Sequence, residues 1–259
     1  MHNIVLLVII FFIITVLCQV TDFDVESHNV IDDIDFRLTT CYKSRIITSV
    51  CDPKFKLNAF CINLESKKQN MDFIYSEWKD YLNISRFVAL SSATKSHIQI
   101  LKNIYNNKEN IKFPIAIIED DVFRRNNFTK YWNELLYLKD CDYVVLDCFF
   151  LVFSDNQDNV PINFVSLKEH NMIGFNIYYK RFFDRFNTVD DLEKINNNSP
   201  DPLDMIFTHD PKFIKYTPKE QICRQVVSKQ STTASMDTHH YIKLYDDAEK
   251  KLMRFSNKL

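Results

Sequence analysis

A chain of 259 residues that is 46% hydrophobic and 25% charged has the composition of a globular protein and the length of one large domain or two small ones. Its net charge of -2, with no basic stripe interleaved with aromatics, supplies no field to draw in nucleic acid. Gly174 is the only glycine, where about 7% is usual, and this excludes a dinucleotide-binding fingerprint, a P-loop and a nucleophile elbow, each of which needs several glycines.

Ile4 to Leu17 is apolar except for Thr15, the length of a signal-peptide core and short of the roughly 20 residues of a spanning helix. Residues 1–18 therefore read as a signal peptide or a short signal anchor. The expected location is the lumen of the secretory pathway (ER or Golgi) or the exterior, with a membrane contact only if the segment is kept. Residues 19–56 open acidic and carry Cys41 and Cys51, the pattern of a stem or extension. Once Cys18 leaves with the leader, Cys41, Cys51, Cys61, Cys141, Cys148 and Cys223 permit up to three disulfides in an oxidising lumen. No Cys-x-x-Cys spacing points to a structural zinc. Asn83-Ile84-Ser85, Asn127-Phe128-Thr129 and Asn197-Asn198-Ser199 have the glycan-acceptor pattern.

From residue 57 apolar runs alternate with helical periodicity. Asn58 to Leu64 reads as a strand, and Glu65 to Leu82 as an amphipathic helix with Met71, Ile74, Trp78 and Tyr81 on one side. Phe87 to Leu90 is a second strand, after which Ser91 to Thr94 offer hydroxyls for capping a helix that runs to Asn106-Asn107. Ile115 to Ile118 is a third strand, Phe128 to Leu138 a helix, and Asp142 to Leu146 a fourth strand. Strands are expected at Phe149 to Phe153, Asn163 to Leu167 and Asn171 to Ile177, with a helix at Tyr178 to Phe186. Gly174 inside the last of these strands marks close backbone packing or a positive φ. Pro202 to Phe207 opens a short helix, and residues 241–259 close the chain as a charged amphipathic helix. The alternation predicts an α/β fold with a mostly parallel central sheet and helices on both faces, filling a domain over residues 57–240.

The third strand ends abruptly in Glu119-Asp120-Asp121. Ligands of open α/β sheets gather beyond the carboxyl ends of such strands. Three adjacent carboxylates repel one another unless a cation or hydrogen-bond donors compensate, so they read either as a divalent-metal site for a phosphate-bearing substrate or as a solvated acidic turn.

Phe60-Cys61-Ile62-Asn63-Leu64, Ser92-Ala93-Thr94-Lys95-Ser96-His97 and Ile117-Ile118-Glu119-Asp120-Asp121-Val122, taken in order, resemble glycosyltransferase family 25. That family includes bacterial lipooligosaccharide galactosyltransferases and collagen galactosyltransferases. Asp142-Tyr143-Val144-Val145-Leu146 and Pro202-Leu203-Asp204 extend the likeness, which spans about Asn58 to Ser235. The resemblance implies a GT-A-like fold, a UDP-sugar donor carrying galactose or glucose, a glycan or protein acceptor, a Mn²⁺ (or Mg²⁺) ion, and inversion at the transferred sugar. By position it implies Asp121 as metal ligand with Glu119, Glu119 also near the nucleoside, and Asp120 in support.

Ser96 and His97 would present amides or an imidazole to the diphosphate at the start of a helix, or simply pack there. Inversion needs a base for the acceptor hydroxyl, and Asp204 is the candidate, its other reading being a helix cap. His209, His239 and His240 are further candidates for a metal shell, or surface histidines. Ser92 stands where family members usually carry glycine, and no glycine-rich donor loop is present. A lumenal or secreted binding protein that kept the scaffold without turnover is thus the alternative.

Overall fold

The computed structural model describes residues 56–138, 140–171, 174–197, 210–226 and 238–259, all within a compact unit of residues 45–259. The leader, almost all of the stem, Cys41, Cys51, the Pro202 to Phe207 segment with Asp204, and His209 lie outside the described residues. In chain order the elements are β1 (Leu57–Asn63), α1 (Asn70–Trp78), β2 (Leu82–Val88), α2 (Ala93–Asn106), β3 (Ile115–Glu119), β4 (Val122–Arg124) and α3 (Phe128–Leu135). They continue with β5 (Tyr143–Val145), β6 (Phe150–Phe153), β7 (Phe164–Asn171), β8 (Phe175–Tyr178), α4 (Lys180–Asp184), α5 (Val189–Asn197), β9 (Lys215–Pro218), β10 (Cys223–Gln225) and α6 (Thr238–Ser256).

Eight of the strands form one sheet in the order β2-β1-β3-β8-β5-β9-β7-β6. β2, β1 and β3 are parallel neighbours, as are β5 and β9, while β8 is inserted antiparallel between β3 and β5. β7 runs against both β9 and β6, so all but β7 and β8 share one direction, and the α/β expectation with a mostly aligned sheet holds. Because β8 is reversed, its amino end meets the carboxyl ends of β3 and β5. That reversal carries Gly174 to the acidic triplet.

Two cores flank the sheet, and strand periodicity divides residues between them. Ala116 and Ile118 of β3 face the same core as Met71, Ile74 and Trp78 of α1 and Phe128, Tyr131, Trp132 and Leu135 of α3. Ile115 and Ile117 face Ile98, Leu101 and Ile104 of α2, Phe182 and Phe183 of α4, and Ala248 and Leu252 of α6. A strand covered on both sides reads as an unbroken apolar run, which is why β3 is legible in the sequence. Each buried isoleucine contributes on the order of 1.5–3 kcal/mol.

β2 is longer than its apolar half suggests. It is an edge strand paired with β1 from Leu57↔Leu82 to Asn63↔Val88, and Asn83 and Ser85 point to solvent, masking the pattern. The helix expected from Glu65 is a 3-10 turn at Glu65–Lys67 followed by α1. The stretch read as one strand, Asn171 to Ile177, is the end of β7 and then β8, and Gly174 does not have a positive φ.

Cys61, Cys141, Cys148 and Cys223 are free, buried thiols, which corrects the expectation of up to three disulfides. They pack as small apolar residues within the two cores, and burial pushes the Cys148 thiol up to about 12. Of the glycan-acceptor sites, Asn83 is exposed, whereas the Asn127 amide donates to Glu220 Oε2 at 2.9 Å and to the Gln221 carbonyl at 3.3 Å. Among the described residues no helix is long and apolar enough to cross a membrane.

Candidate active site

Glu119, Asp120 and Asp121 lie at the carboxyl end of β3, between the ends of β1 and β8. The three acids are in three different environments. Glu119 is 23% exposed, and its Oε2 accepts from Gln225 Nε2 at 2.5 Å while Oε1 lies 3.4 Å from His97 Nε2. Its backbone amide donates to the Gly174 carbonyl at 2.8 Å, continuing the β3–β8 ladder by one residue. Asp120 accepts from the amide of Asn63, the last residue of β1, at 2.5 Å. Arg86 Nε donates to Asn63 Oδ1 at 2.7 Å and so fixes the direction of that amide. Burial raises the Asp120 carboxyl, and the Asn63 hydrogen bond opposes the shift.

Asp121 is the least compensated. Its Oδ1 is shielded from solvent and has no hydrogen-bond partner. Burial pushes the carboxyl well above the usual carboxylate range, and the charges of Glu119, Asp120 and Asp147 push it further. Its carbonyl accepts from Val226 N at 2.7 Å, and Gln225↔Val122 pairing in the β4–β10 ribbon fixes the same junction.

Asp147 is a fourth carboxylate that the triplet alone did not announce. It follows β5 by two residues, is 0% exposed, and Tyr245 of α6 donates to its Oδ1 at 2.6 Å while Oδ2 has no partner. Burial, then the Glu119 charge, raises it to about 7 against the opposing Tyr245 hydrogen bond. A Cβ placed on Gly174 would collide with Asp147 Oδ2 and come within 2.7 Å of Gln225 Nε2. The lone glycine therefore permits a close approach, here of two side-chain ends to its backbone, which answers to close packing rather than a positive φ.

Ser96 and His97 do not open a helix. α2 begins at Ala93 with Ser92 as its cap, the Ser92 hydroxyl accepting from Lys95 N at 3.1 Å, and the Ser96 amide is already bonded to the Ser92 carbonyl at 3.1 Å. The buried Ser96 hydroxyl donates to Ser92 O and accepts from Leu90 N, both at 2.9 Å, so it serves the fold. His97, also buried, is turned to Glu119. His240 is exposed, and the His239 side chain lies outside the described residues, as does Asp204.

Asn63, Asp147, Gly174, Gln225 and Tyr245 complete the site. One sequence signal could have found Asp147: the apolar Val144-Val145-Leu146 run ends in an acid as Ile117-Ile118 does. Gln225 and Tyr245 had none, since each reaches the site only through tertiary pairing.

Among the described residues no group of three or more His, Cys, Asp and Glu side chains stands ready to enclose a metal ion. Hard cations that ride with phosphates commonly take one or two carboxylates from the protein and the remaining oxygens from substrate and water. The unpartnered Asp121 Oδ1 and Asp147 Oδ2 fit that share of a site. A cavity of about 620 Å³ lies at the other end of the sheet, where Lys56, Asn58, Lys79, Asn83 and Ser85 surround the amino ends of β1 and β2, away from the acids.

No family model matches the chain, and no curated protein matches it. Among the solved structures that share part of its chain path are the following two. The A197 protein from STIV aligns with a TM-score of 0.40 at 13% identity, over 63% of this chain and 81% of that one. A glycosyltransferase involved in glycosylation of the major capsid of PBCV-1 aligns with a TM-score of 0.41 at 10% identity, over 74% of this chain and 99% of that one.

Proposed function

We propose that the protein is a metal-dependent glycosyltransferase that moves a hexose, galactose or glucose, from a UDP-sugar to a glycan or protein acceptor with inversion, in the lumen of the secretory pathway. The observation that carries this reading is the set of compressed carboxylates at the carboxyl end of the aligned strands, with Asp121 Oδ1 shielded and unpartnered. The family 25 resemblance of the Ile62-Asn63-Leu64 and Glu119-Asp120-Asp121 motifs supports the same reading.

Mn²⁺ or Mg²⁺ held by Asp121, with Glu119 beside it, would neutralise the charge that builds on a departing diphosphate. The other roles belong to the chain itself. His97 and Gln225 orient Glu119. Asn63, itself set by Arg86, holds the Asp120 carboxylate, which leaves Asp121 Oδ1 as the oxygen of these two acids that is shielded and without a partner. Asp204 takes the proton of the acceptor hydroxyl.

The test is UDP release from UDP-galactose and UDP-glucose by the full chain with Mn²⁺ or with EDTA. The expected result is turnover that requires the metal and falls by about 100-fold or more in Asp121→Asn, with the melting temperature undiminished. A wild-type chain that neither binds UDP with Mn²⁺ nor responds to that substitution overturns the enzyme reading. Carbohydrate binding without turnover, unchanged in Asp121→Asn, identifies a binding protein on this scaffold instead.

A further inference from the structure

We infer that Asp147 and Asp121 are the two carboxylates that share the cation, that Gly174 and Tyr245 are the positioning residues of Asp147, and that the C-terminal helix α6 is thereby part of the site rather than a cap on the domain. This rests on the metal-dependent reading of the acidic triplet and adds to it a residue that the triplet does not contain. Asp147 has two different oxygens. Oδ1 is held by the Tyr245 hydroxyl at 2.6 Å, while Oδ2 has no protein partner in a side chain that is 0% exposed.

Leaving a carboxylate oxygen buried and unbonded is costly as a rule. Such an orphan calls for a particular explanation. Here the surroundings are built to keep it. Gly174 lets Asp147 Oδ2 and Gln225 Nε2 approach its backbone more closely than any Cβ would allow, and Gln225 in turn holds Glu119 Oε2. Gln225 Nε2 thus lies between Asp147 and Glu119, and the charges of Glu119 and Asp121 act on Asp147. The Gln225 backbone favours the Asp147 carboxylate, but its side chain is engaged with Glu119, and Oδ2 stays without a partner.

Tyr245 is itself tied in from the other side. Its hydroxyl accepts from the Gln225 backbone N–H at 3.4 Å, and the Arg224 guanidinium lies over its ring at 5.4 Å while bonding Glu249 at 2.8 Å and Asp246 at 3.2 Å on the same helix. Helix α6 thus fixes which oxygen of Asp147 is occupied and leaves the other for a cation. Oxygen-only ligation of this kind suits Mn²⁺ or Mg²⁺.

The full-length chain is titrated with Mn²⁺, with and without UDP, by the loss of the free Mn²⁺ electron paramagnetic resonance signal, and melting is followed in parallel. Asp147→Asn, which keeps the shape and the Tyr245 contact, is expected to weaken Mn²⁺ binding by about tenfold or more. Gly174→Ala is expected to do the same without changing any charge, and Tyr245→Phe to weaken binding less. Should Asp147→Asn fail to fold, these last two carry the test. Mn²⁺ binding by Asp147→Asn and Gly174→Ala equal to wild type, alongside its loss in Asp121→Asn, overturns the role of Asp147 and leaves the metal reading intact. A wild-type chain that takes up no Mn²⁺ even with UDP overturns both.

Discussion

Gln225 Nε2 lies 2.5 Å from Glu119 Oε2, a bond between residues 106 apart that pins the last strand of the described domain to the end of β3. The β10–β4 pairing sets the Gln225 backbone beside the acids, and this bond holds its side chain on Glu119. Gln225→Leu deletes the donor and leaves a part-exposed carboxylate that water can still reach. The expected cost is about 1 kcal/mol in urea unfolding. Gln225→Glu sets a like charge against Glu119 and is expected to cost more than the leucine variant, with the difference shrinking when Mn²⁺ is added. Equal stabilities for the two variants without metal would refute the electrostatic account.

Asp121→Asn is expected to make the metal-free protein more stable, although it removes a side chain at the heart of the site. The native carboxyl is disfavoured by burial and by Glu119, Asp120 and Asp147 together, and an amide of the same shape ends that repulsion. A gain of about 1–3 kcal/mol is expected, read as a rise in melting temperature in EDTA. Saturating Mn²⁺ is expected to raise the wild-type melting temperature and leave the variant unmoved. A variant that melts below wild type in EDTA contradicts the repulsion argument.

The order of these elements was largely readable from the chain, because β3 is buried on both faces and α2 and α3 keep strict three- and four-residue spacing. The triplet was found by the rule that acids after a buried strand sit where ligands gather, and Asp147 obeys the same rule after β5. What the sequence hides is held by long-range pairing. The antiparallel insertion of β8 turns Gly174 from a residue inside an expected strand into the floor of the site. Gln225 sits in a three-residue strand whose sequence, Cys-Arg-Gln, has no period at all. Ser96 illustrates the opposite failure, a residue of the right type spent on Leu90 and Ser92.

Trp78 links the helical layer to the acids from below. Its ring makes edge contacts with Phe128 at 5.1 Å and Phe175 at 4.9 Å, and its Nε1 donates to the carbonyl of Val122, the residue after Asp121, at 3.0 Å. Trp78→Phe keeps an aromatic ring and strands the Val122 carbonyl, at an expected cost of about 1–3 kcal/mol. Trp78→Ala also opens a cavity and is expected to cost about 3–5 kcal/mol. Because the stranded carbonyl adjoins the triplet, the phenylalanine variant is further expected to weaken Mn²⁺ uptake. Unfolding within error of wild type for Trp78→Phe would show that the indole hydrogen bond adds nothing.

Lys215 predicts how stability varies with pH at the far side of the sheet. It is 1% exposed, its Nζ donates to the Lys168 carbonyl at 2.8 Å, and burial lowers it to about 8 from an ordinary 10.5 despite the charges of Asp210 and Glu169. Between those two values the unfolded chain binds a proton at this side chain that the folded chain has released, so stability from this group rises with pH through that window. Below pH 8 both states carry the charge, and the folded protein bears the full cost of burying it. Lys215→Met removes the titration. The stability of wild type relative to Lys215→Met is thus expected to increase from pH 8 to pH 10 by on the order of 1–2 kcal/mol, measured by urea unfolding at each pH. A difference that stays constant or narrows over that range would show that the buried ammonium is solvated or paired well enough to titrate normally.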